Sequence, residues 1–260
     1  MTKEEKTTVA NTTKNEIAVI DFAADSGKGN ENITGKDLAI PMLQLLQINS
    51  PQVNEDDALY IDGAKPGDIM DTVTKAIYSK REGLKIVLSA YFSEFVEWRP
   101  RDTGGGLVAR HQINTPLAQQ ATKDKETGKL FLSNGNTLVE THYHIGVMRN
   151  KDGALTWVII PMTSTKLPIS KKLNKIIMDV RVAGPNGPIQ PARFASVFTL
   201  NSVTQENAKG KFYNYDFKRD GLIDDVELYK AAKELNTAFE QGQVIVQVVE
   251  EEPKPENKTY

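Results

Sequence analysis

Two long stretches, "LKIVLSAYFSEFVEW" (84–98) and "TLVETHYHIGVMR" (137–149), change between apolar and polar residues with a period of two. That period fits a strand with one face turned inward, and it sets the fold class more firmly than any other feature. In the first stretch Leu84, Ile86, Leu88, Ala90 and Phe92 point one way, and Lys85, Ser89, Tyr91, Phe95 and Arg99 the other. In the second, Val139, Tyr143, Ile145 and Val147 oppose Glu140, His142 and His144. "LTWVIIPM", "ARFASVFTLNSV" and "KFYNYDFKR" predict further strands, and "NKDG" before the first of these predicts a hairpin turn. Two segments have a helical period instead. "SKKLNKIIMDV" places Leu173, Ile176, Ile177 and Val180 on one stripe, and "DDVELYKAAKELNTAFEQG" carries Leu228, Leu235 and Phe239 on one side with Gly242 beyond its end. The expected fold is mainly β, a barrel of OB-fold-like type with two or three attached helices.

Residues 1–35 are rich in Thr, Asn, Lys, Gly and acidic side chains and predict a flexible arm. Residues 36–249 form the expected single β-rich domain, and 250–260, "EEEPKPENKTY", an acidic tail. With 32 basic and 34 acidic residues the chain has a formal net charge of −2, so any nucleic-acid surface must be local. No cysteine occurs, which excludes disulfides, thiolate metal sites and cysteine nucleophiles. The charged N-terminus and the lack of any apolar run near the ~18 residues that span a bilayer predict a cytoplasmic protein without membrane contact.

Catalytic signatures are missing, and the chain is expected not to be an enzyme and to need no cofactor or metal. "DSGKGN" lacks the Walker spacing, "KRDGLIDDVE" misses the calcium-loop register, and no nucleophile elbow appears. Glu140, His142 and His144 share a strand face, yet no cysteine or further histidine accompanies them. What stands out is the mixing of aromatic and basic residues. Alternation sends Tyr213, Tyr215, Phe217 and Arg219 to one face, either a stacking platform for unpaired bases or a core strand packed on a helix. Tyr91, Phe95 and Arg99 share a face, Trp98 ends that strand, and Arg101 and Arg110 flank Gly104, Gly105 and Gly106. Guanidinium groups bind phosphate and stack on bases, and the glycines either admit a backbone or bend a hairpin. From Pro161 to Arg181 five basic residues face one Asp, with Lys171, Lys172 and Lys175 off the apolar stripe.

The segments "IPMLQLLQINSPQV", "IDGAKPGDI", "FVEWRPRDTGGGLVARH" and "KGKFYNYDF" together resemble a group of bacteriophage single-stranded DNA-binding proteins, over about Lys36 to Phe239. The resemblance implies an OB-fold core, unspecific binding of single-stranded DNA during phage replication or recombination, and recruitment of replication proteins by the acidic tail. Here Lys258, Thr259 and Tyr260 close the tail, whereas the best-known tails of this kind end on an apolar residue after the acids. Self-association is compatible with this reading. Two other readings stand beside it: a phage structural or assembly protein with a β-rich interaction core, and a nuclease in which Glu97, Asp102 and His111 gather a metal.

Overall fold

The computed structural model describes residues 24–33, 37, 39–125, 128–208, 210–244 and 246. The expected acidic tail and the first 23 residues of the expected arm lie outside them. Residues 24–33 form successive turns, with Lys28 N donating to Asp25 O at 3.2 Å. In the body of the chain the order is β1 (Leu43–Leu45), β2 (Ile69–Asp71), β3 (Ile77–Tyr78), β4 (Leu84–Trp98), β5 (Leu107–Gln112), α1 (Leu117–Gln120), β6 (Thr122–Lys123) and β7 (Leu130–Phe131). There follow β8 (Thr137–Arg149), β9 (Leu155–Thr163), α2 (Leu167–Asp179), β10 (Val182–Gly184), β11 (Gly187–Ile189), β12 (Ser196–Asn207), β13 (Gly210–Leu222) and α3 (Val226–Glu240).

Among the described residues the fold is mainly β with three α-helices, as the strand and helix periods predict. Eight strands form one antiparallel sheet in the order β13-β12-β4-β8-β7-β6, with β5 added to β4 and β9 to β8. The strands β4 and β8 are its spine. Each changes neighbour along its length: β4 pairs with β12 at Leu84–Val87 and with β5 at Glu94–Trp98, and β8 pairs with β9 or β7. The sheet curls into a half barrel, and the segment before β2 spans the gap between its edge strands. Ile159 N of β9 donates to Pro41 O at 2.9 Å. At the far edge the Gln47 amide imitates a strand, donating to Tyr213 O at 3.0 Å and accepting from Tyr213 N at 2.9 Å.

Each face of the sheet buries its own core. On the concave side Leu84, Ile86, Leu88, Met148, Ile160, Phe198, Leu200, Tyr215 and Phe217 pack against Leu43, Leu45 and Ile69 and against Leu173 and Ile177 of α2. On the convex side Val87, Ala90, Tyr143, Ile145 and Val147 are covered by Leu228, Ala232, Leu235 and Ala238 of α3. Each leucine buried there contributes about 1.5–3 kcal/mol. Asp225 caps α3, its Oδ1 accepting from Leu228 N at 3.0 Å. Phe92 stacks on Tyr143 at 4.6 Å and on Phe239 of α3 at 5.8 Å.

Unbroken alternation through β4 does not hold. Leu88 faces Gly146 and Ala90 faces Ile145, so Ser89 is an extra residue, a β-bulge. Leu88 therefore lies in the concave core and Ala90 in the convex one, although the period of two puts them together. A one-residue slip exchanges faces for everything downstream. Tyr91 and Phe95 thereby join the side of Leu84 and Ile86 rather than opposing it. The carbonyl freed at Ser89 is satisfied by Asn236 Nδ2 of α3 at 3.1 Å.

Candidate nucleic-acid interface

The aromatics of β13 face the interior. Tyr215 is 2% exposed and its hydroxyl donates to Leu43 O at 2.7 Å, and Phe217 packs in the same core. Burial pushes the Tyr215 phenol up, so it stays a donor at any ordinary pH. Tyr213 is held from the side: Lys80 Nζ sits 4.6 Å from its ring centroid, and a Cβ on Gly67 would lie 2.7 Å from the ring. The stacking platform expected at Tyr213, Tyr215 and Phe217 is therefore corrected to a core strand. The half barrel needs large side chains to fill its concave face, and β13 supplies them. Arg219 is half-buried, its Nε donating to Ser196 Oγ at 2.9 Å.

Two more expected contacts are engaged elsewhere. Phe95 is buried between Glu140 and His111 on the neighbouring strands, so it offers no free ring. Arg110 turns to the convex side, where its Nε bonds both oxygens of Glu94 at 2.9 Å and its Nη1 donates to Val246 O at 2.7 Å. Glu94 is buried and needs that cation, because an unpaired buried charge costs several kcal/mol, about 3–5 when a partner is removed. On α2, Lys171, Lys172 and Lys175 are exposed, and Lys175 pairs with Asp179 one turn on. Exposed pairs of this kind contribute about 0.3–0.5 kcal/mol.

Apart from these lysines, the accessible candidates gather at one end of the sheet. Arg99 and the turn Arg101–Thr103 close the β4–β5 hairpin, and residues 132–136 turn from β7 into β8. The bend uses Gly104, Gly105 and Gly106 at φ of 102°, 62° and 98°, conformations that side chains with a Cβ seldom adopt. Between the two tips lies a cleft of about 740 Å3 lined by Arg99, Pro100, Asp102, Thr103, Phe131 and Asn134 to Asn136. Phe131 is 36% exposed. Trp98, half-buried, ends β4 beside this cleft in sequence, opposite Thr137 and Leu107. Phe131, Asn134 and Asn136 escape a reading of the sequence by alternation and charge alone. The "NG" of "SNGN" is the available signal, because it marks a tight turn before β8.

Glu97 ties the two tips together. Its Oε1 accepts from Asn136 Nδ2 at 2.5 Å and Asn134 Nδ2 at 3.3 Å, and its Oε2 accepts from His111 Nε2 at 2.8 Å. The Asn136 bond leads in holding this carboxyl below its usual value, and His111 and Asn134 add to it against the opposing effect of burial. Of Glu97, His111 and Asp102, the first two are bonded to each other and the third lies in the cleft wall. Among the described residues no group of three or more His, Cys, Asp or Glu is arranged to hold a metal ion.

Deeper on the concave face a second polar system runs beneath α2. Arg193 Nη2 donates to His144 Nδ1 at 2.8 Å, and His144 Nε2 lies 2.8 Å from Ser170 Oγ. Ser170 Oγ reaches His142 Nδ1 at 2.8 Å, and His142 Nε2 meets Glu140 Oε1 at 2.9 Å. The Arg193 guanidinium can only donate, so His144 Nδ1 accepts, His144 Nε2–H donates to Ser170 Oγ, and the Ser170 hydroxyl is left to donate to His142 Nδ1. Tyr91 OH also reaches His142 Nδ1, at 3.1 Å, so Tyr91 belongs to this system and not to the hairpin cleft.

Burial, then the Arg193 guanidinium and His142, hold His144 well below its ordinary value of 6.5. Unfolded, His144 takes up a proton as the pH falls through about 6.5; folded, it does not. The unfolded state then binds more protons, so stability present above that pH is lost below it. We expect the urea midpoint to fall between about pH 7.5 and about pH 5.5, with a slope of up to ~1.4 kcal/mol per pH unit from this group. His144→Gln should flatten that part of the slope; an unchanged slope would mean that His144 is not its source.

Among the described residues no helix is long and apolar enough to cross a membrane. No curated protein matches the chain, and no solved structure does. Residues 9–245, nearly the whole chain and every strand and helix described above, match the model of a bacteriophage family, so that the resemblance to phage proteins holds at this level. The chain belongs to the family of Pam3 phage gp34-like proteins.

Proposed function

We propose that this protein binds single-stranded DNA without strong sequence preference during phage DNA replication or recombination, and that it does so without covalent chemistry. The observation that carries the reading is the convergence of two hairpin tips, remote in sequence, on one open cleft holding Arg99 and the exposed ring of Phe131. Residues 99–136, which build both tips, contain six basic residues against three acidic in a chain of net charge −2. A guanidinium for phosphate and a ring for a base are the two parts that sequence-tolerant binding requires. Trp98, Arg101 and the exposed Lys171 and Lys172 extend the same reading, and Asn134 and Asn136 offer polar contacts along the cleft. Self-association, and recruitment of replication proteins by the acidic tail, belong to it as well.

Titration with oligo-dT at two salt concentrations, with duplex DNA as control, tests the proposal. Affinity for the single strand should fall as salt rises, with a slope of about −0.7 for each phosphate neutralised. Arg99→Ala with Arg101→Ala should make that slope shallower by roughly one to two contacts' worth. Phe131→Ala should cost about 1–3 kcal/mol of binding. Because these side chains are exposed, the melting temperature should stay close to wild type. Absence of single-strand binding at low salt would overturn the proposal, and stable self-assembly under those conditions would favour a structural role in the phage particle.

A further inference from the structure

We infer that Arg193 forms a phosphate-binding site at the edge of α2, separate from the hairpin cleft. Of the five N–H groups of this guanidinium, the two on Nη2 are used, on His144 Nδ1 at 2.8 Å and on Asn174 Oδ1 at 3.0 Å. Its Nε is enclosed and has no hydrogen-bond partner, and among the described residues no Asp or Glu pairs with the side chain. The charge lies over the Tyr91 ring at 5.4 Å, a weak substitute for a counterion.

A cation removed from water is normally compensated by a carboxylate, and here the network supplies one only at its far end, through His144, Ser170 and His142 to Glu140. Histidine side chains pass hydrogen bonds along but bring no negative charge. The group that completes Arg193 therefore carries charge and several acceptor oxygens. Phosphate has both. The surroundings favour it: the window 161–181, which includes Ser170 and Asn174, the two residues of α2 that touch this system, holds five basic residues against one acidic. The phosphate comes either from the backbone of a single strand or from solution as the free ion. The site does not depend on the hairpin cleft, because it rests on different residues.

Labelling the wild-type protein with phenylglyoxal, which reacts with accessible guanidinium groups, tests this without a mutation. Modification of Arg193 is followed by peptide mass spectrometry in chloride, in inorganic phosphate at equal ionic strength, and with oligo-dT. Inorganic phosphate should slow labelling at Arg193 several-fold relative to chloride. Slowing by oligo-dT as well identifies a backbone phosphate as the source, and slowing by inorganic phosphate alone identifies the free ion, whatever becomes of DNA binding at the cleft. Equal labelling in all three conditions would overturn the site, as would no labelling of Arg193 in chloride while Arg99 reacts. As a second measurement, inorganic phosphate should raise the melting temperature of wild type but not of Arg193→Lys, each compared with its own value in chloride. An equal rise in both would also count against the site.

Discussion

Replacing Tyr215 by Ala will destabilise the protein by about 3–5 kcal/mol, the usual loss for a large buried ring. At roughly 2–4 °C per kcal/mol for a domain of this size, the melting temperature should drop by about 6–20 °C. The expectation follows from a ring that is 2% exposed at the centre of the concave core, with a hydroxyl tied to Leu43 O across the barrel gap. Tyr215→Phe keeps the ring and removes the hydroxyl, so it should cost only about 1 kcal/mol. Binding of single-stranded DNA per folded molecule should be unchanged in both variants. A Tyr215→Ala protein that melts like wild type but loses DNA affinity would return this residue to the binding surface and contradict the assignment of β13 to the core.

Gly146→Ala will also destabilise, by about 1–3 kcal/mol, although it adds a single methyl group. The new Cβ would lie 2.5 Å from the backbone oxygen of Val87, and backbone in the middle of the β4–β8 pair has little room to give. The cause is the bulge. Ser89 bends β4 opposite Gly146, and the strands approach there more closely than a side chain permits. Thermal or urea unfolding measures the loss directly. A neutral Gly146→Ala would show that the bulge relaxes, and the exchange of faces after Ser89 would then need another origin.

Much of the fold is legible in the sequence because strand periodicity is a local property. The stretches 84–98 and 137–149 are β4 and β8, the "NKDG" turn joins β8 to β9, and the apolar stripes of α2 and α3 are the faces that the two cores bury. Bulges are different. Nothing local to "VLSAY" says that Ser89 is unpaired, since the extra residue exists only relative to Gly146 some way along the chain. That slip moved Tyr91 and Phe95 to the concave side. The platform on β13 failed as an exposed surface for a related reason: alternation shows that Tyr213, Tyr215 and Phe217 share a face, but which face is inward depends on α2 and on Leu43. Arg99 and the glycine bend were legible from composition, whereas their meeting with Phe131 and Asn136 is a tertiary fact fixed by Glu97.

Ultraviolet crosslinking of oligo-dT to the wild-type protein, with the modified residues identified by mass spectrometry, tests most directly where a single strand lies. Crosslinks are expected at Phe131 and at or beside Trp98, the aromatic residues nearest the hairpin tips, and should be lost at high salt. Crosslinks confined to Tyr213, Tyr215 or Phe217, or no crosslink under conditions where duplex DNA is equally silent, would contradict that placement.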